Sequence, residues 1–540
     1  MRRWIAGLLS LVLLFCLAAC GGDKTADRSF FYPLTSEPKS LDPQICGDAD
    51  TAIAVGSLYE GLVRMGADGT IRPGVAQSMD VSADGMTYTF HLRPEARWHI
   101  IANFKEIYGK DCEKNLELPV TAEDFVFAFQ RIFSAATNTP GADTLYAIRN
   151  ARAVHEGKIT MLELGVHASD AQTLIIELEK PSSDLLTLLA QPICAPCNRF
   201  FFESTKGKYG LGLKYTMCNG PFYLHRWNVE TNLSLWRNPD YVGENAVVPS
   251  AVSLVFNADR SGYARRVSDG TYDAAPIEPE YIGDLSSDVR TQYLQNTVWG
   301  IAFNCTDPVL SNTYLRMALC SAFSASTFEM PDKTPARGIL PSGCRVSGEN
   351  YRDTAGTAEF PEENDERALL FMQFALKELE QSTVTLQILC TAEFETGLRR
   401  VIQRWQKLFG VTIAASTSVC SDEELQQAQQ SGEFQIAFVP VRAASSSAVQ
   451  CLYAFEKASG GSFGTDGTDF SGLMQAALSA PNAASAASCC KQAESYLIRT
   501  GVFYPVFDDA SCVAFYAGAE DIDLTPCGEA ISFVRARKTD

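Results

Sequence analysis

Seventeen cysteines, five histidines and one Gly-x-Ser-x-Gly word are the residues of this 540-residue chain whose types and spacing could do chemistry. The histidines are His91, His99, His155, His167 and His225. None stands at His-x-x-x-His or His-Glu-x-x-His spacing, so neither a zinc hydrolase nor another metal centre is indicated. His91 falls in an alternating stretch and is expected on the solvent face of a strand. Ser462 occupies Gly460-Gly461-Ser462-Phe463-Gly464. A nucleophile elbow needs a strand before the serine and a helix after it. Here Lys457-Ala458-Ser459 precedes and Thr465-Asp466-Gly467-Thr468 follows, which reads as a loop. No Walker A or dinucleotide fingerprint is present, and no cofactor is implied.

The cysteines divide by position. Arg2-Arg3 and the apolar run 5–17 form a signal-peptide pattern, too short to span a bilayer. It ends in Leu17-Ala18-Ala19-Cys20-Gly21, which resembles a bacterial lipobox. That resemblance implies cleavage before Cys20 and a diacylglyceryl thioether on its sulfur. Two acyl chains suffice for stable anchoring. Setting aside Cys16 and Cys20 leaves an odd number of the 17 cysteines, so a complete disulfide framework is not implied. Cys194-Ala195-Pro196-Cys197 and Cys489-Cys490 are the tempting pairs. A redox Cys-x-x-Cys needs a helix N-terminus to lower its thiolate pKa, and the flanking Pro192 and Pro196 imply an extended segment instead. Lone cysteines then serve as small buried hydrophobes.

The elements that would position any site are legible as periodicity. Asp84-Gly85 is a turn dipeptide, and the residues after it alternate to Leu92 as a half-buried strand does. Thr121 and Asp124 form a capping-box-like start, and Phe125, Phe129, Ile132 and Phe133 follow at helical spacing. Further along, strands over 384–389, 411–414 and 434–441 alternate with helices over 398–409 and 423–430. That order implies a parallel sheet with right-handed crossovers, whose ligands sit beyond the carboxyl ends of the strands. It directs attention to 441–447. The stretch 443–450, rich in Ala and Ser, reads as a loop, and 503–507 and 513–516 as two closing strands. Size alone implies two or three domains. A net charge of −19 argues against nucleic acid.

Several words of the sequence resemble the extracellular solute-binding proteins of family 5, which serve peptide and nickel ABC importers. They are Leu41-Asp42-Pro43, Ser82-Ala83-Asp84-Gly85 with Tyr88-Thr89-Phe90-His91-Leu92-Arg93, and Val120-Thr121-Ala122-Glu123-Asp124-Phe125-Val126 with Arg131. Asn219-Gly220-Pro221-Phe222 and Arg237-Asn238-Pro239-Asp240-Tyr241 complete the set. The resemblance implies an α/β, two-lobed periplasmic-binding-protein-like fold (type II, cluster C) with an extra subdomain in lobe one. The boundaries it implies are a signal peptide at 1–19, a lipidated tether at 20–29, lobe one at 30–60, 192–296 and 506–540, the extra subdomain at 61–191, and lobe two at 297–505. About twenty residues between Trp98 and Val120, where the family has a short turn, read as a surface insertion.

By the same resemblance the chain is a lipoprotein outside the cytoplasmic membrane that does no covalent chemistry. It captures a peptide or related small solute by lobe closure and passes it, as a monomer, to permease and ATPase subunits. Family members that bind oligopeptides carry Trp-Cys-x-Asp-Tyr, whose Asp pairs with the peptide amine. Here Val441-Arg442-Ala443-Ala444-Ser445 falls on that word, so the acid becomes Ala444 and the Cys becomes Arg442. The disulfide partner falls near Thr297, so the family's bridge is lost. Arg442 could hold a carboxylate bidentately. Asp508 and Asp509, where the family places cleft aromatics, and Glu278 on a crossing segment are the acids that could replace the missing one. Cys46, Gly47, Ile277, Trp299, Val441 and Ala443 complete the candidate ligand contacts, with Trp299 open to a core role. A secreted serine hydrolase using Ser462, or a sensor or adhesin lipoprotein on the same fold, are the alternative functions.

Overall fold

The computed structural model describes residues 29–540 except 101–103, 110–115, 117, 324–327, 329–332, 444, 454, 456–467, 529 and 540. Cys20, Ala444 and the Gly460–Gly464 word therefore lie outside the described residues. Among the described residues no helix is long and apolar enough to cross a membrane.

Three sheets organise the chain. Ser29–Leu34 pairs in parallel with Ala251–Phe256, and Asn232–Arg237 and Phe222–Asn228 extend that sheet. A second four-stranded sheet orders Ala76–Val81, Thr87–Leu92, Thr173–Glu177 and Val166–Asp170. The helix Ala122–Ile132 packs on it, and this is where its aromatic face goes: Phe125, Phe129 and Ile132 are fully buried. Its start is capped, with the Thr121 N–H donating to Asp124 Oδ2 at 2.9 Å. The third sheet orders Ala274–Ile277, Phe503–Phe515, Arg290–Phe303, Ile436–Arg442, Val384–Cys390 and Ile413–Val419. Its last three strands are parallel, as the strand–helix alternation requires.

The apolar side chains separate into two large cores. One gathers 30–254 with Ala274, Leu294 and 513–536; the other runs from Val298 to Phe507 and takes in Cys527. The strands Arg290–Phe303 and Phe503–Phe515 cross between them. The closing region is one continuous strand, Phe503–Phe515, rather than the two expected. Its polar middle, Asp508-Asp509, breaks the apolar run in sequence, yet the ladder continues through both residues.

Two expectations are corrected. The stretch 443–450 is not all loop, because Ala448–Tyr453 is a helix whose Ala448, Val449 and Leu452 enter the second core. The insertion after Trp98 is not purely a surface feature. It carries a short helix, Phe104–Tyr108, whose Phe104 is buried with its ring 6.1 Å from Phe201. A bulky aromatic in an insertion finds the nearest apolar surface.

The words that carry the resemblance act as joints. Asp42 and Arg131 form a buried bidentate pair at 3.0 and 2.5 Å, joining Leu41-Asp42-Pro43 to the end of the Ala122–Ile132 helix. The Glu60 N–H donates to Asn219 Oδ1 at 3.1 Å, and Asn219 Nδ2 returns a bond to the Glu60 carbonyl at 2.9 Å. The Tyr241 hydroxyl reaches Glu60 Oε2 at 3.1 Å. Gly220 sits where a Cβ would lie 2.6 Å from the Leu58–Tyr59 peptide, so no side chain fits there.

Candidate functional site

Strand register assembles the site. Arg442 pairs with Thr297, and Thr297 pairs on its other side with Asp509. Val441, Val298 and Asp508 form the next row, and Pro440, Trp299 and Phe507 the one after. Successive side chains alternate faces, so Arg442, Thr297, Asp509 and Trp299 share one face while Val441, Val298 and Asp508 share the other. The position expected to face Arg442 from sequence, Thr297, is its direct cross-strand neighbour. Neither side chain can form the family's bridge.

On the first face the polar groups are tied together. Lys333 Nζ lies 3.0 Å from Asp509 Oδ1, and the Trp299 indole N–H donates to Asp509 Oδ2 at 3.2 Å. Trp299 is half-buried, its ring 4.6 Å from Phe394 and 5.8 Å from Phe438, so it serves the core and the face at once. Arg442 is exposed at the carboxyl end of its strand and makes no side-chain hydrogen bond or ion pair among the described residues. A guanidinium without a partner presents a fork suited to a carboxylate.

On the second face Asp508 is buried. Its Oδ2 accepts from Ser342 Oγ at 3.0 Å, and its Oδ1 has no partner. Burial pushes its carboxyl up to about 6, opposed by Ser342 and by the charges of Arg352 and Arg337. Beyond Ser342 lies a buried ion pair in which Arg352 grips Glu494 at 2.6 and 3.0 Å.

The remaining candidates divide. Ala443 belongs with the site, its N–H donating to the Asn296 carbonyl at 2.9 Å. Val441 is buried in the second core. Ile277 is buried at the end of its strand, opposite Cys512, three residues farther along the strand that carries Asp509. Glu278 follows it but is engaged by Arg260. Cys46 and Gly47 lie at the first core, Cys46 ending a short turn and Gly47 facing the ring of Pro140. A hollow of about 660 Å³ lined by Glu37, Leu211, Trp227 and Val229 lies elsewhere and touches none of these residues. The Cys194–Cys197 pair is buried; burial pushes Cys197 up to about 12 despite the Arg131 guanidinium 3.4 Å away, the reverse of a redox thiol.

Sequence reasoning missed the seam between the lobes. Ser447 Oγ donates to the Asp184 carboxylate, Ser347 Oγ to the Ser183 carbonyl at 2.6 Å, and Gln191 Nε2 to Gln450 Oε1 at 2.6 Å. The Ser183 N–H donates to the Ala480 carbonyl at 3.0 Å. Asp184 is 1% exposed, its Oδ1 has no partner, and burial pushes its carboxyl up to about 6. Isolated Ser, Asp and Gln residues carry no periodicity by which to find such a seam.

Known proteins share this fold. The profile described as bacterial extracellular solute-binding proteins, family 5 Middle, matches residues 70–463. The oligopeptide-binding protein OppA of Bacillus subtilis is 24% identical over 449 residues, covering 77% of this chain and 78% of that one. A probable deoxycholate-binding periplasmic protein of Escherichia coli is 29% identical over 323 residues, but that match spans only 57% of its length. The structure of Haemophilus influenzae OppA in complex with the peptide RPPGFSPFR superimposes with a TM-score of 0.73, at 20% identity, over 95% of this chain and 99% of that one. The fold is that of the two-lobed periplasmic binding proteins, and the chain belongs to the bacterial extracellular solute-binding proteins of family 5.

Proposed function

We propose that the protein is the solute-capturing subunit of a peptide importer, and that its ligand carries a carboxylate held by Arg442. The observation that carries this is the unpartnered, exposed guanidinium of Arg442 beside the Lys333–Asp509–Trp299 group. The names of its relatives, oligopeptide- and dipeptide-binding proteins among them, support a peptide. Strand edges from both lobes would pair with the peptide backbone, which tolerates varied side chains. The Leu17-Ala18-Ala19-Cys20 word supports a lipid anchor at Cys20, and permease and ATPase subunits are the partners such a protein serves. Of the acids that could receive a peptide amine, Glu278 and Asp509 already hold cations, which leaves Asp508 with its unpartnered oxygen. Isothermal calorimetry with a mixed tripeptide library tests the reading. Arg442→Ala should weaken binding more than tenfold, the loss of a charge-assisted hydrogen bond of about 1.5–3 kcal/mol. Binding as tight as wild type would place the ligand carboxylate elsewhere.

A further inference from the structure

Cys344, Cys451 and Cys527 meet where the two cores touch. Cys344 Sγ lies 3.8 Å from Cys451 Sγ, although 107 residues separate them in sequence. The Cys527 thiol lies close enough to Cys344 to help raise its pKa. A Cβ on Gly343 would stand 3.2 Å from the Cys527 sulfur, so that thiol is pressed against the Gly343–Cys344 backbone. All three are buried thiols. Cys344 and Cys451 belong to the second core. Cys527 comes from the C-terminal segment, whose other apolar residues, Leu524, Ile531 and Phe533 among them, pack in the first core. Among the described residues of that segment, Cys527 alone enters the second core. Its carbonyl is held by Asn296 Nδ2 at 3.0 Å, on the strand that crosses between the lobes.

The elements bearing the first two thiols are those that close the seam. Cys344 precedes Arg345, whose N–H donates to the Ser446 carbonyl at 2.7 Å, and Ser347, which bonds Ser183. Cys451 lies one turn after Ser447, which bonds Asp184. A bridge from Cys344 to Cys451 stays within lobe two. A bridge from Cys344 to Cys527 ties lobe two to lobe one.

We propose that these three thiols form a disulfide-exchange site on lobe closure, with Cys344 as its pivot. A low-molecular-weight disulfide, such as oxidised glutathione, supplies the oxidising equivalents. The Cys344 thiolate attacks it and expels one glutathione thiolate. Cys451 then attacks the Cys344 sulfur of the mixed disulfide, closing Cys344–Cys451 and expelling the second thiol. The oxidant's S–S bond takes up two electrons, and the two protein protons end on the glutathione thiols. With the lobes together, Cys527 attacks Cys344 Sγ; the Cys344–Cys527 bond forms as the Cys344–Cys451 bond breaks, and Cys451 takes the proton Cys527 gave up. That exchange needs no further oxidant. Resting on the two-lobe reading, it holds the captured solute until a reductant arrives. The neighbouring thiols of Cys451 and Cys527, and then burial, hold the Cys344 thiol well above its ordinary value, so attack proceeds from the fraction of molecules in which the seam has loosened.

The test uses the full mature chain as wild type, Cys451→Ser and Cys527→Ser, treated with oxidised glutathione. Disulfides are mapped by mass spectrometry of an unreduced digest. Cys527→Ser should give the Cys344–Cys451 peptide, Cys451→Ser the Cys344–Cys527 peptide, and wild type both. Small-angle scattering of oxidised Cys451→Ser should give a smaller radius of gyration than the reduced protein, restored by dithiothreitol. Absence of the Cys344–Cys527 peptide from Cys451→Ser, or of the Cys344–Cys451 peptide from Cys527→Ser, overturns the proposal. An oxidised Cys451→Ser whose radius of gyration is unchanged does the same.

Discussion

Asp508 and Asp509 are neighbours in sequence with different work, because a strand turns them to opposite faces. Asp509 is satisfied by Lys333 and Trp299. Asp508 keeps one buried oxygen without a partner, a group that costs roughly 1–3 kcal/mol if nothing ever pairs with it. An incoming ammonium would remove that cost. Asp508→Asn should therefore weaken a free-amine tripeptide about tenfold, while its N-acetylated form binds both proteins alike. Competition binding with the two peptides measures this, and an equal loss for both would assign Asp508 to the fold alone. Ala444, where the family places the acid, lies outside the described residues and offers no carboxylate.

At the scale of elements, the joint between Asp42 and Arg131 holds the start of lobe one to its aromatic helix. Removing one partner of a buried pair leaves the other charge uncompensated, at about 3–5 kcal/mol. Arg131→Ala should lower stability by that amount in urea denaturation, with Gln44 and Cys197 losing a hydrogen-bond partner as well. The seam gives a pH dependence. Asp184 has a carboxyl raised to about 6 when the lobes meet, and would return to about 4 when they part. A raised carboxyl favours the closed form below its open-state value; that advantage is lost as pH climbs through 4 to 6 and changes no further above 6. Ser447 faces it as a hydrogen-bond partner, the Thr187 hydroxyl lies beside it, and Cys490 lies close by as a neutral thiol. Solute affinity should thus fall by one to two orders of magnitude between about pH 4 and pH 6, and Asp184→Asn should flatten the profile. A wild-type affinity constant over that range would remove Asp184 from closure.

Elements of this kind differ in how far a sequence discloses them. The helix Glu395–Phe409 shows itself because Leu398, Val401, Ile402, Trp405 and Phe409 recur at helical spacing and all are buried. The register that sets Arg442 against Thr297 was legible too, since the Cys-bearing word of the family aligns there. The single long strand Phe503–Phe515 was not, because two aspartates interrupt its apolar run where it crosses between lobes. The Cys344–Cys451 and Ser447–Asp184 contacts were invisible, since each joins residues more than a hundred positions apart without periodicity.

The whole molecule is two cores joined by crossing strands, with polar contacts and thiols along the line where they meet. Such contacts are few and specific, so the lobes can part by a hinge and close again on a bound solute. Peptide capture is what this architecture is proposed to do, and one measurement tests it most directly. Native mass spectrometry of the mature protein, purified without denaturation, weighs whatever it holds. The expected result is a non-covalent adduct that fragments at amide bonds, present in wild type and depleted in Arg442→Ala. A protein that carries only a solute without amide bonds between residues, such as a bile acid, and that binds no member of a peptide library, would contradict peptide capture.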